Sequence, residues 1–261
     1  MRPATRPATR PATRPAIRRA RLLVVGAALV TAAGCHPESL IKQQELTIIP
    51  GLPAGWTGTQ NTSGIGTTVT EVHSGRTAAY LSGAFDVLTL NSFTLVQYLR
   101  ADNYRGKRMQ LTAWVKPRNV TNTVNSGIWM RVEGPGTTLA FDNMALRPVS
   151  GYGDWRQVSV VLDVPAAAIG IAFGAIFQAS NTLLVDDFRL EEVTTAVPST
   201  STVTTPVTGT ADSATTVANY AGKPLAPVNL GFEGLSTAPS LMDGPASNRL
   251  AIPTPSGGRR P

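Results

Sequence analysis

The sequence predicts an all-β protein, a single jelly-roll-type β-sandwich flanked by N- and C-terminal tails that read as disordered. Short runs rich in Val, Thr, Ile and aromatic residues alternate with Gly, Pro, Asn and Asp through residues 45–193, the grammar of strands and turns. No apolar run in that block sustains the 3.6-residue period of a helix. Outside it the composition changes abruptly on both sides.

In chain order, residues 1–34 come first. "RPATRPATRPATRPAI" repeats proline every fourth position, which removes amide donors and disfavours helix, so it reads as an extended basic arm. The apolar run 22–33 then spans 12 residues, short of the roughly 20 needed to cross a bilayer. With Arg18, Arg19 and Arg21 ahead of it and Ala32, Ala33 and Gly34 behind, it has the plan of a secretory signal. The paired arginines also have the look of a twin-arginine export signal.

Residues 1–34 contain seven of the 23 Lys and Arg and no acid, so 23 − 7 leaves 16 basic against 16 acidic residues downstream. The formal charge of +7 therefore belongs to the arm, and the basicity that would argue for a nucleic-acid partner goes with it. Cys35 is the only cysteine, so no disulfide supports the fold.

The strands expected within the block are 67–72, 78–83, 94–100, 108–117, 126–134, 139–144, 156–164, 169–178 and 182–193. Nine short strands with turns every ten or so residues fit a sandwich. Residues 35–44 read as a polar tether and 194–219 as a linker, since 15 of the 25 residues 194–218 are Thr, Ser or Pro. Residues 220–261 read as a mostly disordered Pro/Gly-rich tail. Its one compact phrase, "NLGFEG", is either a truncated second module or a strand that packs back on the first.

Two resemblances rest on these residues. "AAGC" at 32–35, with Ala32 where Leu, Val or Ile is usual, resembles a bacterial lipoprotein signal. It implies lipidation of Cys35, export, and attachment to a bacterial membrane; His36 rather than an acid next to it points to the outer membrane in a host with two membranes. "HSGRTAAYLSG", "YLRADNYRGKRMQLTAWVKP", "IWMRVEGPG", "LAFDNM", "DWRQVSVVLDVP" and "LLVDDFRLEEV" together resemble a galactose-binding-like, carbohydrate-binding-module-like sandwich of bacterial exported proteins, whose members often carry a transcriptional-regulator label. No helix-turn-helix accompanies it here.

The catalytic inventory is thin. His36 and His73 are the only histidines, and neither a GxSxG elbow nor an HExxH zinc motif is present. Glu133, Asp142, Asp154, Asp163, Asp186 and Asp187 could supply paired carboxylates, so a glycoside hydrolase stays open as a minor reading.

Alternation along the strands gives the better lead. Leu111, Ala113 and Val115 share one face of their strand, and Gln110, Thr112, Trp114 and Lys116 the other; Trp129, Arg131 and Glu133 oppose Ile128, Met130 and Val132. An aromatic platform of Trp114 and Trp129 beside Arg131, Lys116, Asp142 and Asn143 suits a sugar, whose C–H face stacks on rings while its hydroxyls take polar partners. The competing reading buries both tryptophans in a small second core. Trp56 and Trp155 read as plugs at the ends of the sandwich.

In "VDDF" the same alternation turns Asp186 inward with Phe188. An inward acid needs backbone amides or a cation, and a structural calcium shared with Glu45 or Glu71 is the cation option. The functional expectation is a non-catalytic module for a glycan or envelope polymer, with an envelope protein as the alternative partner.

Overall fold

The computed structural model describes residues 45–49, 51–59, 64–85, 92–208 and 213–233. Residues 1–44, and with them the signal, Cys35 and most of the tether, lie outside the described residues, as do 234–261. The described chain forms β1 (Ile48–Ile49), β2 (Thr57–Thr59), β3 (Ile65–Thr68), β4 (Ala78–Gly83), β5 (Phe93–Arg100), β6 (Arg108–Gly134), β7 (Thr137–Asp142), β8 (Arg156–Asp163), β9 (Gly170–Val193), β10 (Val207–Thr208) and one helix, α1 (Ser213–Tyr220). The all-β expectation holds.

All pairings are antiparallel and form two layers. One runs β1, β3, β4, the C-terminal half of β9, the N-terminal half of β6, then β8. The other runs β2, β5, the N-terminal half of β9, the C-terminal half of β6, β7, then β10. Two expected pairs of strands, 108–117 with 126–134 and 169–178 with 182–193, are thus single long strands that pass from one layer to the other. Asparagines make the corners: Asn119, Asn122 and Asn181 adopt φ of 58°, 51° and 76°, a region their short polar side chains tolerate. Asn181 then ties the corner by donating to the carbonyl of Asn119 at 2.7 Å.

The core lies between the layers and takes one residue in two from each strand. Met109, Leu111, Ala113 and Val115 meet Ile128, Met130 and Val132 from the far half of the same strand, with Leu95, Leu99, Ile171, Phe173 and Phe177. At one end Trp56 closes the core, its ring centroid 5.8 Å from Phe173, 5.2 Å from Phe188 and 5.0 Å from Phe232.

Phe232 belongs to the segment expected to be a tail, and the downstream expectations need correcting over their described residues, the linker over 194–208 and 213–219 and the tail over 220–233. Residues 194–208 and 213–233 form a belt around the sandwich. Thr200 N donates to Val161 on β8 and Thr202 N to Phe141 on β7, each at 2.8 Å. β10 extends the second sheet, α1 crosses its outer face, Arg100 N donates to Pro224, and Gln97 exchanges hydrogen bonds with the backbone of Val228. A Thr/Ser/Pro-rich segment has no core of its own, but its hydroxyls and carbonyls can satisfy the edges of another. Of "NLGFEG", residues 229–233 pack back on the first module, as a turn carrying Phe232 inward.

Candidate functional site

The site is organised by a bulge in β9. Thr112 pairs with Arg189 and Trp114 with Asp186, so Ala113 faces both Asp187 and Phe188. The extra residue is Asp187, at φ 48°. It shifts the alternation by one, putting Val185 in the core and Asp186 beside Trp114 on the outer side. This corrects the expectation that Asp186 points inward. The amide of Phe188 is satisfied by the belt, donating to Leu230 at 3.0 Å.

Asp186 is nevertheless fully buried, under residues 72–76. One carboxylate oxygen accepts from His73 N at 2.9 Å and Ser74 N at 3.2 Å, and the other from Asp187 N at 2.8 Å. Burial pushes its pKa up to about 6, outweighing these amides, which pull the other way. Backbone amides, the alternative to calcium, thus satisfy the acid. Glu45 is exposed, Glu71 faces Lys116 and Arg118, and among the described residues no three His, Cys, Asp or Glu side chains converge to hold a metal.

Above Asp186 sits the aromatic part. His73 stacks on Trp114 with centroids 4.0 Å apart and planes 15° apart, and meets Trp155 edge-on at 5.7 Å. Asp187 holds the imidazole from the bulge, 2.6 Å from Nδ1, and accepts from the hydroxyl of Ser74 at 2.9 Å. The charged rim is formed by Lys116, 3.9 Å from Glu71 and 3.7 Å from the exposed Asp154, and by Arg118, 3.7 Å from Glu71. Trp114, Trp155 and His73 are all partly exposed. The surface offers ring faces and fixed polar groups side by side.

The six residues expected to form one platform are distributed over three places. Trp114 and Lys116 are here. Trp129, Arg131 and Asn143 lie on the outer face of the other sheet, because β6 changes layer between the two tryptophans. Trp129 is 7% exposed, in a small cluster with Val96 and Ala172; Arg131 pairs with Glu133 at 2.6 Å, and Asn143 bonds Asn125 at 3.1 Å. Asp142 faces the interior at 1% exposure, gripped by both terminal nitrogens of Arg147 at 3.1 and 2.6 Å and by Met144 N. It is a loop anchor.

His73, Asp187 and Trp155 are members that sequence reasoning did not place here. Trp155 was expected as a plug. The signal that could have found them is Trp155 one residue after Asp154, together with the adjacent acids of "VDD". A separate cleft of about 430 Å³ at the end of β6 and β9 has its charges paired within it, Arg108 to Asp163 at 2.7 Å and Lys107 to Glu192 at 3.1 Å.

No family model matches the chain. It is 36% identical over 132 residues to a Bacillus subtilis protein described as the uncharacterized HTH-type transcriptional regulator YbfP, over 50% of this chain and 44% of that protein. The chain thus spans less than half of that relative's length. Among solved structures, similarity is found to the CBM22-1 xylan-binding domain of Paenibacillus barcinonensis Xyn10C (16% identity, TM-score 0.35, covering 55% of this chain and 88% of that one). A cyclase from Fischerella sp. TAU is similar at 16% identity and TM-score 0.41, covering 57% and 90%.

Proposed function

We propose that this protein is a non-catalytic binding module that holds a glycan or cell-envelope polymer on the Trp114–His73–Trp155 surface. The observation that carries the reading is the partly exposed aromatic patch set beside Lys116, Asp154 and Glu71 on the outer side of the first sheet. Ring faces take the apolar side of a sugar, and neighbouring charged groups take its hydroxyls. The His73–Asp187 pair is not completed to a serine triad by its loop neighbour, because the hydroxyl of Ser74 donates to Asp187. In a serine nucleophile that hydroxyl would face the imidazole.

We further propose that the chain is exported and lipid-anchored through Cys35, a reading supported by the basic flank, apolar run and "AAGC" of its sequence. The sandwich would then present its aromatic surface from a membrane.

Affinity electrophoresis in gels containing xylan, β-1,4-galactan or solubilised peptidoglycan tests the binding reading. Retardation in one gel, lost in Trp114→Ala and Trp155→Ala, is expected. Retardation unchanged by both substitutions would remove the surface from consideration. Metabolic labelling with palmitate, abolished by Cys35→Ala, checks the anchor.

A further inference from the structure

The loop that carries His73 is held at both ends. At its start, the amides of His73 and Ser74 donate to Asp186, while His73 Nδ1 and the Ser74 hydroxyl meet Asp187. Its far end is held by the last described residues of the belt. Arg76 N donates to Glu233 Oε1 at 2.9 Å, and Thr77 Oγ1 donates to the carbonyl of Phe232 at 2.7 Å. Between the two ends, Gly75 passes so close to Glu233 that a Cβ there would run into its carboxylate. The φ of Gly75 is 66°, in the left-handed region that favours glycine.

The same turn also reaches the bulge. Phe188 N, next to Asp187, donates to the carbonyl of Leu230 at 3.0 Å. Residues 230–233 thus touch both supports of the imidazole, the loop that bears it and the strand that bears its acid partner.

A brace fixes its neighbours only if it is itself fixed. Phe232 is buried in the core, its ring centroid 5.0 Å from Trp56 and 6.0 Å from Phe188. The carbonyl of Asn229 accepts from Trp56 Nε1 at 2.9 Å and from Phe232 N at 3.2 Å, and Asn229 Nδ2 donates to the carbonyl of Ala54 at 3.2 Å. Glu233 is exposed, one residue beyond this anchor, so the core places its backbone while its carboxylate serves the loop. An exposed hydrogen bond of this kind adds little to stability, because water can replace it. Its effect falls on where the loop sits.

We propose that Glu233 is a positioning residue for the Trp114–His73–Trp155 surface, holding the loop through Arg76 N in the place that seats the imidazole on Trp114. The inference rests on the reading of that surface as a glycan site. A ligand stacked there binds best to rings already fixed, since ordering them on binding is subtracted from its affinity.

The test compares the protein with Glu233→Ala and Glu233→Gln by NMR, thermal melting and affinity electrophoresis in gels containing xylan, β-1,4-galactan or peptidoglycan. In Glu233→Ala the His73 ring protons should leave the positions imposed by the indole ring current, while the melting temperature stays within about 3 °C of wild type. If about a third to a tenth of the molecules keep the ring seated, affinity for the retaining polymer falls about three- to tenfold. Glu233→Gln keeps an acceptor oxygen for Arg76 N and should match wild type in all three measurements. Unmoved His73 resonances in Glu233→Ala overturn the proposal, as do a shift that leaves retention unchanged and a Glu233→Gln variant that behaves like Glu233→Ala. A melting temperature lowered as far as in Phe232→Ala would make Glu233 a support of the core and overturn it too. Retention of wild type by no polymer overturns the glycan reading alone, and the resonances then decide whether Glu233 positions the ring.

Discussion

His73 lies flat on Trp114, ring centroids 4.0 Å apart, and Asp187 fixes its other edge 2.6 Å from Nδ1. The stack therefore depends on the bulge that turns Asp187 toward the loop. Asp187→Ala should release the imidazole, moving the His73 ring-proton resonances away from the positions imposed by the indole ring current. Stability should fall by about 1–2 kcal/mol, from the lost hydrogen bonds and the left-handed φ that Ala tolerates less well. NMR of the variant checks the first and urea denaturation the second; unchanged His73 resonances would mean that Asp187 does not position the ring.

Asp186 makes stability depend on pH in an unusual direction. Its folded pKa of about 6 lies above the ordinary aspartate value of 3.8, so between these values the folded state binds more protons than the unfolded one. Its contribution is full below about pH 4 and is lost as pH rises to about 6, by roughly 2–3 kcal/mol if the whole shift is realised. Asp163, held low by the Arg108 guanidinium, contributes in the opposite sense at more acid pH. Urea titrations between pH 4 and 7 should show this decline in wild type and not in Asp186→Asn. The variant will be less stable throughout, because one oxygen cannot accept all three amides. A slope that persists in Asp186→Asn would assign the titration to another group.

The belt is part of the folding unit. Phe232 is 1% exposed, and Trp56 Nε1 donates to the carbonyl of Asn229 at 2.9 Å. Phe232→Ala should cost about 3–5 kcal/mol, as for a large aromatic removed from a core. A chain ending at Val193 should melt well below one ending at Glu233. Equal melting temperatures would return residues 194–233 to the status of a linker.

Alternation made the strands and most of their faces legible, since Leu111, Ala113 and Val115 are fully buried while Trp114 and Lys116 face out. It could not reveal that β6 and β9 each change layer, so Trp114 and Trp129 were read as neighbours. β9 keeps its period of two across its corner, whereas β6 slips by one between Val115 and Ile128, and in both the outer faces of the two halves belong to different sheets. At Asp187 the period itself breaks, which misdirected Asp186 by one residue. Composition misjudged the belt for another reason. Few of its residues are buried: Phe232 enters the core and Tyr220 packs on the outer face of the second sheet, and single anchors leave no periodic trace.

Gly170 decides whether Tyr220 can dock. Gly170→Ala places a methyl where the phenol ring lies, so one of them must move, and the sheet backbone has less freedom than a short helix. The belt is held on either side of α1, by β10 on β7 and by Arg100 N on Pro224, so displacement of the ring should not unfold the sandwich. The expected loss is about 1–2 kcal/mol, the burial of much of one aromatic ring. Tyr220 should pass from protected to reactive toward tetranitromethane, read by peptide mass spectrometry. Equal protection in Gly170→Ala and wild type would show that the ring does not need the bare backbone of Gly170 to dock.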